Sequence, residues 1–186
     1  VKVRAFCGFG KYHDIEVEDD VTAYVEYANG ATGVFITSTA EAPGTNRLEV
    51  SGDRGKMVME NGQLTFWRSR ESVGKFRKEY KGGFGSPEVW KCEIPVRDAG
   101  EEHKGITKNW TQAILKGTPL LAPGEEGIHS VQLFNAMLLS SWTDSWVSLP
   151  VDEELYLAEL NKRIATSRYQ KPGASGQALN VAGTFN

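Results

Sequence analysis

The sequence predicts an α+β fold: an open, predominantly antiparallel β-sheet with helices packed on one face. Two observations carry that prediction. Up to about residue 94, apolar and polar side chains alternate between turn dipeptides, whereas from about residue 106 apolar residues recur at helical spacing. A block of strands followed by a block of helices suits one helical layer on one sheet. It does not suit a doubly wound nucleotide-binding fold, in which the two element types alternate.

Val1-Lys2-Val3-Arg4-Ala5 alternates as a strand and not as a signal peptide. Because the sequence starts inside that pattern without an initiator Met, it is expected to be a piece of a longer chain. Val21 to Tyr27 forms the next strand, and Asn29-Gly30 predicts a two-residue type I′ turn. That turn pairs Ala28 with Ala31, Val25 with Val34 and Tyr24 with Phe35. Val21, Ala23, Val25, Val34 and Ile36 then share the core face, and Thr22, Tyr24, Glu26, Phe35 and Thr37 the open one. Ala42-Pro43-Gly44 breaks the pattern. Strands follow at 47–51, 56–60 and 63–68, separated by Gly52-Asp53-Arg54-Gly55 and Asn61-Gly62. Residues 71–87, rich in glycine and charge and including the basic run Lys75 to Lys78, predict a solvated loop, with a late strand at 88–94.

Ile106, Trp110 and Ile114 mark a first helix that stops at Gly117-Thr118-Pro119. A second begins near Glu125-Glu126 and carries Ile128, Val131, Phe134, Leu138 and Trp142 on one stripe. A third runs from about Asp152, with Leu157, Leu160 and Ile164 facing inward. The Gly, Ala, Ser and Pro content after Arg168 predicts a tail or a wrapping arm. The expected organisation is one domain over 1–166 and a tail or arm over 167–186.

With 186 residues and 40% apolar content, the chain can bury a core of its own. A net charge of -3 gives no reason to expect a nucleic-acid partner. No apolar stretch approaches the roughly 20 residues of a membrane span. Cys7 and Cys92 form no CxxC pair, so two free thiols in a reducing, cytoplasmic setting are expected.

The chemical motifs are few. Gly8-Phe9-Gly10 and Gly82-Gly83-Phe84-Gly85 contain G-x-G but lack the third glycine opening a helix, so they read as turn glycines and no cofactor site is expected. Asp14, Glu16 and Glu18 read as one face of an acidic edge, with His13 on the other, and no metal site is expected. No G-x-S-x-G or other nucleophile arrangement is present. His129 reads as a packed or capping residue. His103, expected just before the first helix, either bonds the helix start or lines a cleft. His13 lies in an acidic stretch where it can reach a ligand or simply face solvent.

Six segments then occur in a familiar order. They are Val17-Glu18-Asp19-Asp20-Val21-Thr22-Ala23, Tyr27 to Gly33, Arg47 to Gly55, Asn109 to Ile114, Pro123 to Val131, and Leu139-Ser140-Ser141-Trp142. Together they resemble the C-terminal domain of the glucose-fructose oxidoreductase, inositol dehydrogenase and MocA (Gfo/Idh/MocA) family over about residues 1–166. The resemblance implies an NAD- or NADP-dependent dehydrogenase of a sugar, cyclitol or related polyol. The cofactor would be held by an N-terminal Rossmann domain absent from this chain. The family's Lys, Asp and His would also precede residue 1, so no catalytic residue is expected here and the chain alone is expected to be inactive.

What the resemblance leaves to this chain is the far wall of the cleft and, commonly, an oligomer interface on the open sheet face. The bend at Gly44-Thr45-Asn46-Arg47 falls where the family places substrate-facing groups, so Asn46 and Arg47, with His13 and His103, are the candidate substrate-binding residues. Equally, Asn46 stabilises a turn and Arg47 faces solvent. The alternatives to an oxidoreductase domain are a non-catalytic sugar- or partner-binding module and a purely structural dimerisation domain.

Overall fold

The computed structural model describes residues 1–95 and 100–169. In chain order the elements are β1 (Lys2–Phe9), β2 (Glu18–Glu26), β3 (Thr32–Ser38), β4 (Arg47–Gly52), β5 (Gly55–Glu60), β6 (Gln63–Ser69), α1 (Val73–Glu79), β7 (Val89–Cys92), α2 (Glu102–Lys116), α3 (Gly127–Thr143), β8 (Val147–Ser148) and α4 (Glu153–Thr166). Both sheets are antiparallel and four-stranded, ordered β3-β2-β1-β8 and β4-β5-β6-β7. The α+β class holds, with the strands shared between two sheets. They belong to two compact units, Val1–Ala40 with the residues from Glu125 on, and Glu41–Gly124. The expected tail lies, from residue 170 on, outside the described residues.

In the first unit, the pairs Val3↔Val25 and Ala5↔Ala23 put small apolar side chains on one face of β1 and β2. Ala136, Met137 and Leu139 of α3 close over that face, and all of these residues are buried. The small side chains bring α3 close enough for two serines to reach the sheet backbone. Ser140 Oγ accepts the Ala5 N–H and Ser141 Oγ accepts the Cys7 N–H, both at 3.0 Å. Strand β8 pairs with β1 only at Lys2 and Val3, so beyond that point the serines take over the edge of the sheet.

This packing corrects the first half of the expected helix stripe, while Leu138 and Trp142 are half-buried as expected. Ile128, Val131 and Phe134 are more than half exposed, and the buried side of α3 runs through Leu133, Ala136, Met137 and Ser140. On α4 the inward residues are Tyr156 and Leu160, whereas Leu157 and Ile164 are exposed. Asp152 caps α4 by accepting the Leu155 N–H at 2.9 Å, where the sequence placed its start.

The β2–β3 register also differs from expectation. The pairs are Tyr24↔Val34 and Ala23↔Phe35, one residue away from the predicted pairing. The Gly30 N–H donates to Tyr27 O and the Tyr27 N–H to Ala31 O, which closes a three-residue loop in which only Gly30 has positive φ. One extra loop residue reverses every side chain of β3. Val34 and Ile36 therefore join Tyr24 on the open face. Phe35 turns to the helix side, where it meets Phe134 edge to face at 6.2 Å.

In the second unit, Asn61 and Gly62 both have positive φ and close a two-residue loop between Glu60 and Gln63, as predicted. Gly55 pairs back to Gly52 across Asp53-Arg54, and a Cβ there would lie 2.1 Å from the Trp67 carbonyl oxygen. The predicted loop at 71–87 contains α1. Ser72 caps this helix by accepting the Lys75 N–H, Lys75 bridges Glu71 and Glu79 at helical spacing, and Phe76 stacks on Tyr80. Gly117 ends α2 in the left-handed conformation as expected. His103 lies within the first turn of α2 and not before it.

Candidate functional site

The most organised polar feature of the first unit lies where β1 hands over to β2. Along β2 the residues Asp19, Val21, Ala23 and Val25 share the inward parity, so an acid occupies a core position. A buried carboxylate must be paired or hydrogen-bonded, and the preceding loop supplies the donors. The backbone N–H groups of Lys11, Tyr12 and His13 converge on the Asp19 carboxylate at 3.0, 2.7 and 3.0 Å. Burial alone raises such a carboxyl, but the three backbone donors and the His13 ring outweigh it and hold Asp19 at about 2. Gly10, with φ +55°, makes the turn into this loop, where a Cβ would strike the Ile15 carbonyl oxygen.

His13 is thereby fixed. Its Nδ1 stands 3.3 Å from Asp19 Oδ2 and 3.3 Å from Thr39 Oγ1, and its side chain is 46% exposed. Residues 10–17 are loop and not strand, so the expected alternation of Asp14, Glu16 and Glu18 about His13 is not formed. Asp19 and Thr39 also line a hollow of about 230 Å³ with Thr37, Ser38 and Phe134. A larger hollow of about 750 Å³ lies among Phe9, Val17, Trp142, Tyr156 and Leu160. Glu16, on its rim, accepts the Ser167 hydroxyl and the Arg168 N–H, and the Ser167 bond is the main cause that lowers its carboxyl.

The second unit carries the other three candidates. Arg47, at the start of β4, donates to Glu49 at 2.5 Å and to Glu60 at 2.8 Å, while Lys56 pairs with Glu49. This network shares a face of β4 and β5 with buried Val58, whereas Leu48, Val50, Met57 and Met59 are exposed on the opposite face. It raises the Arg47 guanidinium, chiefly through Glu49, and lowers Glu49, chiefly through Lys56. Asn46 precedes the strand and is exposed. His103 lines a shallow surface hollow with Lys104, Thr107 and Thr111, and its carbonyl accepts the Thr107 hydroxyl at 2.9 Å. Within this unit Asn109 fastens the chain after α2, donating to Pro119 O and accepting the Leu121 N–H.

No group of three or more His, Cys, Asp or Glu residues suited to a metal ion occurs among the described residues. Neither glycine pair opens onto a helix. Gly8 and Gly10 lead from β1 into the 10–17 loop, and Gly82 to Gly85 curl around Tyr80, whose hydroxyl donates to Phe84 O. Neither stretch therefore forms a phosphate-binding turn at a helix N-terminus. Cys7 and Cys92 are both free, and burial is the main cause that raises the Cys7 thiol.

Antiparallel sheets with a helix packed on one face of the first define an α+β domain. Residues 3–149 match the family model described as "Oxidoreductase family, C-terminal alpha/beta domain", and the chain belongs to this Gfo/Idh/MocA family. Levoglucosan dehydrogenase of Pseudarthrobacter phenanthrenivorans is 25% identical over 153 residues, which are 77% of this chain and 39% of that protein. The fold is shared with the WlbA dehydrogenase of Chromobacterium violaceum, solved with NADH and UDP-GlcNAcA. There the TM-score is 0.59 at 23% identity, covering 81% of this chain and 40% of that one. It is shared also with aldose-aldose oxidoreductase of Caulobacter crescentus, complexed with glycerol. There the TM-score is 0.59 at 18% identity, covering 80% and 41%. The chain thus spans about two fifths of the length of these relatives.

Among the described residues, no helix is long and apolar enough to cross a membrane.

Proposed function

We propose that this chain is the substrate-side domain of a cytoplasmic NAD- or NADP-dependent dehydrogenase of a sugar, cyclitol or related polyol. The domain spans about 1–166, with 167–186 as a tail or arm. The observation that carries the reading is the family match over 3–149 in a chain without a dinucleotide loop. The NADH-bound, sugar-binding relatives support the same assignment. The cofactor supplies hydride acceptance. It and the proton-transferring groups belong to a portion of the protein outside this chain, and the chain alone is inactive.

This domain's part is to orient hydroxyls and exclude water, which fixes the carbon–hydrogen bond against the acceptor. Asn46, Arg47, His13 and His103 are the residues assigned to hydroxyl binding. Arg47 is held in place by Glu49 and Glu60, and its charged hydrogen bond to a substrate hydroxyl would be worth roughly 1.5–3 kcal/mol.

The same domain joins protomers through the open face of the β3-β2-β1-β8 sheet. There the rows Phe6–Thr22–Ile36 and Arg4–Tyr24–Val34 present exposed apolar side chains across three strands. A two-fold axis would bury the same patch from both copies.

Steady-state kinetics of the full-length protein with NAD and levoglucosan test the assignment. Arg47→Ala is expected to raise KM or lower kcat with stability nearly intact, and unchanged kinetics would return Arg47 to a surface role. Saturable polyol binding without turnover in the full-length protein would favour the non-catalytic binding module.

A further inference from the structure

We propose that Asp19 is a positioning residue that keeps the His13 ring hydrogen on Nδ1, so that Nε2 offers a lone pair to a hydroxyl of a polyol ligand. The inference rests on the reading of this chain as the wall of a polyol site, and it assigns one atom of that wall its task. The hydrogen-bond inventory of the cluster carries it. Ionised Asp19 has no hydrogen to give, so its 3.3 Å contact with His13 Nδ1 is attractive only if Nδ1 carries the hydrogen. Thr39 Oγ1 stands 3.3 Å from the same Nδ1 and 3.3 Å from the Asp19 carbonyl oxygen. Its hydroxyl hydrogen goes to that carbonyl, which leaves an oxygen lone pair facing Nδ1–H. With the hydrogen on Nε2 instead, Nδ1 would set its lone pair against the Asp19 carboxylate. Of the two neutral tautomers, only Nδ1–H satisfies all three groups.

The loop is built to hold this arrangement. Lys11, Tyr12 and His13 each give Asp19 a backbone hydrogen, so the carboxylate that orients the ring also fixes the segment carrying it. The ring itself is nearly half exposed, and a neutral imidazole whose second nitrogen is an acceptor suits a hydroxyl donor. A polyol hydroxyl needs an acceptor for its hydrogen, and Nε2 supplies one.

Nitrogen-15 spectroscopy of the histidine rings in the full-length protein reads the tautomer, with His13→Gln identifying the signal. The expected spectrum has a pyrrole-type Nδ1 and a pyridine-type Nε2, and the Nε2 resonance shifts saturably on addition of levoglucosan. Asp19→Asn is expected to move the ring toward the Nε2–H form. Thr39→Val, a milder change, is expected to leave the tautomer as it is. A protonated Nε2 in the neutral resting ring, an Nε2 signal unmoved by levoglucosan, or a tautomer reversed by Thr39→Val would each overturn the inference. The wider reading is scored separately through KM for levoglucosan in Arg47→Ala and Asn46→Ala. A roughly tenfold rise there beside a silent His13 keeps the polyol wall and removes His13 from it. Unchanged values in both variants remove the wall itself.

Discussion

The chain contains two Asn-Gly hairpins, and they turn differently. At Asn61-Gly62 both residues adopt positive φ and the strands pair across two loop residues. At Asn29-Gly30 only the glycine does, Ala28 joins the loop, and the strands pair across three. The dipeptide favours a left-handed residue, but it does not fix how many residues the loop contains. In the first hairpin that one residue decides which face of β3 meets the helices.

Phe35→Glu and Ile36→Glu separate the two faces most sharply. Phe35 packs edge to face on Phe134 on the helix side and is 37% exposed, so a carboxylate there is expected to cost about 1–2 kcal/mol in denaturant unfolding. Ile36, 70% exposed on the open side, is expected to change stability by less than about 0.5 kcal/mol. The effect of Ile36→Glu should instead be on association, read by light scattering across a dilution series. If Phe35→Glu dissociates the protein without loss of stability, the two-residue register is the true one.

The next contrast lies in the loops themselves. Asn61→Ala forces an alanine into the left-handed region and should cost about 1 kcal/mol. Asn29→Ala loses only the side-chain acceptor for the Ala31 N–H, and roughly half a kcal/mol is expected. Equal costs would mean that the two loops share one geometry.

Deleting Ala28 should have a smaller effect still. Tyr27 already bonds Ala31, so the deletion leaves Asn29-Gly30 as a two-residue loop and keeps every strand pair. A change within about 0.5 kcal/mol is expected; a loss of several would show that Ala28 is needed to set the register.

The far ends of the hairpins differ as well, because β2 begins at a buried acid. Asp19 titrates lower in the folded chain than the usual value near 4 in an unfolded one. Its contribution is therefore fully present above about pH 4 and is lost as pH falls toward 2. The stability gap between wild type and Asp19→Asn should narrow across that window, and a gap constant with pH would mean that the carboxylate charge contributes nothing.

These contrasts also mark what the sequence could reveal. The strands were legible because alternation and turn dipeptides are local signals, and the second hairpin's register followed because its loop is the commonest type. The first register was not legible, since the contact that accompanies it, Phe35 on Phe134, joins residues about a hundred positions apart. The first half of the α3 stripe is illegible from side-chain bulk, because the tight contact uses Ala136 and Ser140. Helix α1 was hidden in a charged, glycine-rich stretch, although Ser72 and the Glu71–Lys75–Glu79 spacing mark it. In the cluster around His13, Asp19 is the residue that motif patterns pass over. Its signal was its parity, an acid in step with Val21, Ala23 and Val25, which obliges the fold to bring donors to it.

The serine pair of α3 has a further consequence. A bare strand edge is a template on which another chain's strand can lay down its own hydrogen bonds. Along β1, the N–H groups of Ala5 and Cys7 are already taken by hydroxyls anchored in a helix, and the Ser140 hydroxyl in turn donates to Ser145 O at 2.5 Å. A newcomer would have to pry α3 from the core before it could pair with this stretch of β1. Past β8, this side of the first sheet therefore stops growing at a helix, and two small hydroxyls guard that border against fibril-like stacking.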